Sequence, residues 1–204
     1  MIINNNPGAA MAARVLGESS SALQKSLARL SSGSKIASPA DDAAGTGVAM
    51  KFGAQINRIQ AAKDNLGNAI SYSQTQDGFL QKIGNALDRM SELSMLAQDE
   101  TKTDADRALY DKEFQKLDDF IVAIGNKDFN GISLFNSSSM SVTVGADGSK
   151  MSTTDIGMAG NATITALAAA TTKVDSSSDA ASALTAVKTA ISTLAGFRAD
   201  VGAN

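Results

Sequence analysis

The sequence predicts a mainly α-helical fold, an elongated antiparallel helical bundle like a coiled-coil rod, with a small β-hairpin insertion. Apolar residues recur at three- and four-residue steps in four segments. Aromatic residues form only 4% of the chain, and much of the 43% apolar share is alanine, which suits close helix packing. Apolar and hydroxyl side chains alternate, as in strands, only after residue 131.

The first helical segment carries a heptad seam formed by Leu16, Leu23, Leu27 and Leu30 and ends at residues 31–33. Its other faces are polar, so the narrow apolar stripe requires a partner helix for burial. An ordinary amphipathic core helix would show the same spacing. We expect residues 1–42 to form an assembly helix and its linker.

A second start signal consists of a capping Ser38, Pro39 at the first helical position and Asp41 in the first turn. Three glycines make the front of this segment a poor helix: Gly45, Gly47 and Gly53. We therefore expect irregular structure or a short helix, followed by a continuous helix from about residue 56. At about 1.5 Å per residue, that helix is roughly 60 Å long.

The third segment begins at a cap formed by Thr103 and the acidic residues after it, and it ends at Gly125. A short turn folds it back on the second helix, so residues 43–130 form a helical hairpin. Residues 56–98, 104–126 and 179–201 are predicted to build one antiparallel bundle. The side chains predicted to face inward are Leu66, Ile70, Leu80, Leu87, Phe114, Leu117, Ile121, Leu184 and Ile191.

Residues 131–177 are predicted to hold a β-hairpin and a short variable insertion. Asp147 and Gly148 supply the hairpin turn. The stretch 150–178 is rich in Thr, Ser, Ala and Gly, which favours a solvent-facing segment. Residues 178–204 then form the last bundle helix, which is still patterned as a helix where the sequence stops.

Composition excludes several classes of function. The chain has no Cys, His or Trp, so the usual zinc ligands and thiol or histidine triads are missing. A net charge of -3 argues against general nucleic-acid binding. We expect no membrane span, no signal peptide and no cofactor. A transit peptide over residues 1–40 is the lesser interpretation of its basic, serine-rich composition.

Four possible chemical groupings have simpler explanations. The pair Asp41–Asp42 fits helix-start charge, because adjacent carboxylates on a helix diverge by about 100°. A calcium loop is disfavoured by the missing central glycine among Asp104, Asp106 and Asp111. No strand precedes residues 45–47, as a dinucleotide fingerprint requires. A solvated helix face explains Ser21 and Lys25 better than a catalytic dyad, so we predict no enzyme.

Several motifs resemble bacterial flagellin. Residues 27–36 (LARLSSGSKI) and 38–45 (SPADDAAG) are similar to the N-terminal signature of that family, with Lys35 in place of Arg and Ala37 in place of Asn. Weaker matches follow in family order at residues 89–93 (RMSEL), 129–131 (FNG), 144–148 (VGADG) and 197–203 (FRADVGA).

This resemblance implies a structural subunit of the flagellar filament that is exported through the type III apparatus, assembles outside the cell and supports motility. The implied partners are other copies of the chain, the filament cap, hook-junction proteins and an export chaperone. Two other readings stay open: the hook–filament junction protein, which shares this architecture, and a secreted coiled-coil effector or adhesin.

Family members continue beyond the final motif with a helical stretch that packs beside the N-terminal helix. The sequence given ends before it, so a fragment or a truncated paralogue is expected. Without that partner we expect residues 1–40 to be poorly ordered in the monomer. We also expect that this form alone does not build a native filament.

The resemblance also implies recognition by the flagellin-sensing Toll-like receptor of animals. The receptor epitope of the family matches Arg89 and Leu93 on the long helix and Glu113 on the facing helix. In this interpretation Arg89 clamps a carboxylate and Leu93 fills a small apolar pocket. A solvated packing role for Arg89 is the simpler alternative.

Overall fold

The structure, a computed structural model, describes residues 6–136, 139–158 and 172–204. The chain divides into two compact units, residues 1–58 and 59–204. The described part is mainly helical, which confirms the predicted fold class. Its helices are α1 (Pro7–Ser32), α2 (Ala43–Ala97), α3 (Asp104–Gly125) and α4 (Ser177–Ala203), and its strands are β1 (Asp128–Phe129), β2 (Ile132–Ser133), β3 (Ser141–Thr143) and β4 (Lys150–Ser152).

Helix α1 has well-formed ends. Asn6 precedes it in an extended conformation, and its side chain accepts a hydrogen bond from the Ala9 amide at 3.2 Å. Pro7 takes the first position, where a missing N–H costs nothing. The helix stops at Gly33, whose φ of 65° favours glycine, so the predicted end is confirmed.

Helix α2 begins earlier than predicted. It is continuous from Ala43, so the expected irregular stretch before residue 56 is wrong. Asp42 provides the cap, because its Oδ1 accepts the Gly45 amide at 2.8 Å. The predicted cap, Ser38, instead lies in a turn in which its carbonyl accepts the Asp41 amide at 2.9 Å.

Gly45 makes this cap possible. A Cβ at Gly45 would collide with the Asp42 carboxyl group and lie 3.0 Å from Ile36 Cδ1. By contrast, a Cβ at Gly47 would meet no described atom within 4 Å. The first glycine is therefore required by the cap, whereas the second is not.

Within the second unit, α2 runs antiparallel to both α3 and α4. Arg89 contacts Glu113, whereas Ala97 accepts a hydrogen bond from Arg107, so the numbering of α3 rises as that of α2 falls. Just after α2, Gln98 donates to the Ala180 carbonyl, while Asp77 pairs with Arg198. The three helices share one buried core, as predicted.

At several positions the side chains that are buried differ from those predicted to face inward. Leu80, Leu87, Phe114 and Ile121 are buried, which confirms those predictions. Leu66 and Ile70 are exposed, so the prediction that they face inward is wrong. The buried positions on that part of α2 are alanines, Ala62 and Ala69. Three further side chains predicted to face inward are only partly buried: Leu117, Leu184 and Ile191.

The connection between α2 and α3 is fixed by a buried guanidinium. Arg107 is 7% exposed, and it donates to the carbonyls of Ala97 (2.8 Å) and Asp99 (3.0 Å) and to the Asp104 carboxylate (2.7 Å). Thr103 and Asp106 form a reciprocal capping box at the start of α3, which confirms the predicted start.

Two hairpins follow α3. β3 pairs with β4 in the hairpin predicted around Asp147 and Gly148. β1 pairs with β2 across Asn130–Gly131, a hairpin that the sequence analysis did not predict. Side chains of α2 hold its second strand, because Tyr72 Oη donates to the Ser133 carbonyl at 2.9 Å and buried Gln76 donates to the Leu134 carbonyl at 2.6 Å.

The stretch 150–178 is not simply a solvent-facing insertion. Ile156, Met158 and Val174 are buried members of the helical core, so that expectation is wrong for them. The backbone beside Val174 is held by α3, since the Val174 amide donates to Asp111 Oδ1 and Gln115 donates to the Thr172 carbonyl. Part of this stretch, residues 159–171, lies outside the described residues.

Helix α4 is long and apolar enough to cross a membrane by length and composition, with a mean hydropathy of 1.2 over its best window. We expected no such stretch from the sequence. Alanine and small apolar residues account for this hydropathy, and α4 buries one face in the bundle.

Candidate assembly surface

The predicted assembly seam lies on α1 and is open to solvent. Leu16, Leu23, Leu27 and Leu30 are between 55% and 80% exposed. No described residue of α1 is buried, so the helix has no core of its own in the structure. The stripe is extended toward the N-terminus by Met11 and Val15, which are also exposed.

In the first unit, residues 1–58, the polar contacts centre on Asp41. Lys25 of α1 contacts its carboxylate at 2.5 Å, and Arg29 approaches it at 3.9 Å. The hydrogen bond from Lys25, together with the charges of Lys25 and Arg29, lowers the pKa of Asp41. These contacts hold the segment after Gly33 against the last turns of α1 and leave the leucine seam free.

The first part of α2 adds apolar surface to the same unit. Its large exposed side chains are Val48, Met50, Phe52 and Ile56. None of the described residues before residue 59 is buried. Since isolated monomers rarely leave so many apolar side chains in water, this unit has the composition of an unfilled interface.

A second apolar surface lies within residues 59–204. Leu66 and Ile70 of α2 line an open groove with Met151 of β4 and Val201 of α4. The ion pair between Arg198 and Asp77, at 2.8 Å, lies at this groove. The leucine and isoleucine that the bundle does not bury therefore contribute to a surface groove.

The suspected receptor residues are only partly brought together on a surface. Arg89 donates through Nε to Glu113 Oε1 at 2.7 Å, through Nη2 to Glu113 Oε2 at 3.1 Å and through Nη1 to Glu92 at 2.7 Å. These hydrogen bonds raise the pKa of Arg89, and the Arg89 guanidinium lowers the pKa of Glu113. Leu93, in contrast, has no exposed area and lies in the core.

The acidic residues considered as a calcium loop have other partners. Asp106 accepts the Thr103 amide in the capping box, Asp104 contacts Arg107, and Asp111 accepts the Val174 amide. Within the described residues, no group of three or more His, Cys, Asp or Glu side chains converges as a metal site would require. These carboxylates therefore have structural roles.

Sequence reasoning predicted the seam but missed the reason for one motif. In the stretch DDAAG, Asp41 binds Lys25, Asp42 caps α2, and Gly45 leaves room for that cap. The spacing of a carboxylate three residues before a glycine was the signal that would have located the helix start.

The chain is similar to known proteins over most of its length. Residues 3–140 match the family described as bacterial flagellin N-terminal helical region. The chain is 34% identical over 157 residues to the phase 1 flagellin of Salmonella naestved and to a flagellin of Salmonella budapest. These alignments cover 76% of this chain and 31% of each relative, so the chain spans about a third of their length.

Two solved structures resemble the fold. The crystal structure of Bacillus cereus flagellin has a TM-score of 0.60 and 27% identity, covering 70% of this chain and 82% of that one. A putative flagellar hook-associated protein from Vibrio parahaemolyticus has a TM-score of 0.52, covering 81% of this chain and 91% of that one. The second is 18% identical and supports the fold alone.

Proposed function

This chain belongs to the bacterial flagellin family, and from that premise we propose that it is a structural subunit of the flagellar filament. The observation that carries the proposal is the exposed seam of α1. A helix whose leucines are all in water is marginal by itself and gains stability when neighbouring helices cover the stripe. The chain thus acts as a building block and not as an enzyme.

The energetics of the seam favour assembly. Burying one leucine side chain contributes roughly 1.5–3 kcal/mol, so the four seam leucines together contribute roughly 6–12 kcal/mol when fully covered. Further apolar area comes from Met11, Val15 and the start of α2. Many such contacts along a filament outweigh the entropy that each subunit loses on joining it.

The same proposal places the protein outside the cell, where it supports motility after export through the type III apparatus. Other copies of the chain are its main partners. The filament cap, hook-junction proteins and an export chaperone are further expected partners. The low aromatic content and the helices of unit 1, which have no buried residues of their own, are compatible with passage of an unfolded chain.

Cells that carry the native gene provide the test. Immunogold labelling should place the wild-type protein along sheared filaments. In the double variant Leu23→Ser, Leu27→Ser we expect at least a tenfold loss of labelled filament length, because the seam can no longer be buried. Gln24→Ser, on the polar face of the same helix, serves as the matched control and should label as wild type does.

The same images separate the competing functions. Labelling restricted to the base of the filament would indicate a hook–filament junction protein. Labelling of the cell surface without filaments would indicate an adhesin or effector. Normal filament incorporation of the double variant would contradict the role of the seam while leaving the filament assignment intact.

Recognition by the animal flagellin receptor is a finer proposal that rests on Arg89 and Glu113. Both side chains are exposed, and their paired arrangement offers a rigid charged surface. Leu93 contributes only by supporting that surface from within the core. A receptor carboxylate would have to displace Glu92 from the Arg89 guanidinium, which lowers the expected affinity.

A receptor reporter assay tests this proposal. Arg89→Ala should reduce potency relative to the parent, whereas Lys116→Ala, an exposed cation of α3 that pairs only with Asp119, should not. Equal potency of Arg89→Ala and the parent would count against the proposal.

A further inference from the structure

Helix α3 carries a carboxylate inside the bundle. Asp118 is only 7% exposed and follows Phe114 by one turn and precedes Ile121 by one turn, so it shares the buried face of these two residues. Its Oδ1 atom is buried and accepts no hydrogen bond from any described residue. Because buried carboxylates are normally paired or hydrogen-bonded, this arrangement calls for an explanation.

No cation compensates Asp118 within its own helix. The neighbouring charge is Asp119, which is of the same sign. Lys116 on the same helix is engaged with Asp119 at 3.0 Å and is exposed. The carboxylate of Asp111, two turns before Asp118 on α3, accepts a hydrogen bond from the Val174 amide. The helix itself therefore disfavours the ionised form of Asp118.

The other elements of the core offer Asp118 no counter-charge either. At their buried positions α2 and α4 are apolar near this level, with Leu80, Ile83, Val187 and Ala190. The charged side chains of these helices nearest in level are exposed: Lys82, Asp88 and Lys188. The segments packed on α3 carry Asp155, Lys173 and Asp175, and residues 159–171 contain no titratable side chain. Burial raises the pKa of Asp118 to about 6, and Asp119 adds to the effect.

We propose that Asp118 is a proton-binding site in the core of the α2–α3–α4 bundle, and that it makes the bundle more stable in mildly acidic solution than in neutral solution. The neutral carboxylic acid can be buried at low cost, whereas the carboxylate must remain without a partner. Taking up one proton thus removes a buried charge.

The direction of the pH effect follows from linkage. In the folded state the pKa of Asp118 is about 6, against its ordinary value of 3.8 in the unfolded chain. Between these values the folded state binds more protons than the unfolded state, so the free energy of unfolding falls as pH rises. This stabilisation is complete below about pH 4 and is lost as pH rises through about 6.

Equilibrium urea unfolding at pH 5.0 and pH 7.5 tests the proposal. The unfolding equilibrium constant attributable to Asp118 should rise roughly tenfold between these two pH values. In Asp118→Asn this increment should vanish, and at pH 7.5 the variant should unfold less readily than the wild type. Asp119→Asn, which removes an exposed carboxylate one residue away, is the matched control and should keep most of the increment.

A second readout needs no variant. Titration of the carboxyl carbons by NMR should give Asp118 a midpoint near pH 6. A midpoint below about pH 4.5 would overturn the proposal, as would an equal pH dependence in wild type and Asp118→Asn. If Asp118→Asn does not fold, the wild-type titration decides the question.

Discussion

Residues 59–204 bury a continuous core, whereas none of the described residues in the unit 1–58 is buried. Both units contain helices with leucines at heptad spacing. In the second unit Leu80, Leu87 and Leu93 have no exposed area, while Leu23 of the first unit is 63% exposed. The same heptad spacing of leucines is therefore found on a buried helix face in one unit and on an exposed helix face in the other.

The difference lies in the presence of a facing surface. In the second unit, α3, α4 and the segments around Ile156 and Val174 cover α2 with apolar side chains. In the first unit, the contacts found between α1 and the segment after Gly33 are ionic and leave the leucines uncovered. The second unit is thus stabilised by its own core, whereas the first unit exposes the leucines that we propose as an assembly seam.

The sharpest test of this comparison substitutes one large side chain in each unit. Phe114→Ala should lower the free energy of unfolding by about 3–5 kcal/mol, because the ring is fully buried. Leu23→Ala should change it by less than about 0.5 kcal/mol in the monomer. Urea unfolding followed by circular dichroism measures both. Similar losses in the two variants would show that α1 has a partner in the monomer.

Removing a buried polar group should have the next largest effect. Arg107→Ala should lower the free energy of unfolding by about 2–3 kcal/mol, since two carbonyls lose a charged donor. Lys116→Ala, at an exposed site of the same helix, is the control. A loss no greater than that of the control would mean that the turn between α2 and α3 does not depend on the guanidinium.

A smaller loss is expected at the edge of the core. Leu117 is only partly buried, so Leu117→Ala should cost about 1–2 kcal/mol instead of the roughly 2–5 kcal/mol typical of a fully buried leucine. Thermal or urea unfolding alongside Phe114→Ala gives the comparison. A cost equal to that of Phe114→Ala would place Leu117 inside the core.

Replacing either of two glycines in the first unit by alanine should change the stability of the start of α2 in opposite directions. Gly45→Ala should displace the Asp42 cap and destabilise the start of α2 by about 1 kcal/mol. Gly47→Ala meets no described atom and should stabilise the same turn by up to about 1 kcal/mol. Amide hydrogen exchange of residues 43–48 reports both. Stabilisation by both substitutions would disprove the role of Gly45 in the cap.

Sequence patterns predicted helix ends best where a capping side chain or a glycine with positive φ fixes them. Thr103 with its capping box located the start of α3, and Gly33 located the end of α1. The start of α2 was placed wrongly because glycine was weighed only as a poor helix former. A good cap at Asp42 contributes about 1 kcal/mol and so offsets part of the penalty, which is about 1 kcal/mol for each glycine.

Burial was less predictable than helix position. Spacing alone does not tell which of Leu66 and Ala69 faces the core: Ala69 is buried, whereas Leu66 is 39% exposed. The hairpin at Asn130–Gly131 carried a recognised turn signal and was overlooked. The burial of Val174 could not be predicted, since the Val174 amide donates its hydrogen bond to Asp111 Oδ1 on a helix that is distant in sequence.

For the candidate assembly site, the sequence identified the seam leucines, whose exposure agrees with an uncovered surface. The sequence could not reveal that Leu93 is buried. Helical periodicity marks an apolar position in the same way whether it packs in the core or against another protein. The seam and the receptor surface therefore remain predictions that the experiments above address.

The contacts of Arg107 have a consequence for the order of folding. Arg107 reaches carbonyls only eight and ten residues away, so α2 and α3 can close on each other across a short loop at little entropic cost. Helix α4 must instead find contacts that lie 82 and 121 residues apart in sequence. Local contacts form faster than distant ones, so we expect the α2–α3 hairpin to form first and α4 to dock on it last. When the chain emerges with its N-terminus first, α2 and α3 can therefore begin to pack before α4 has emerged.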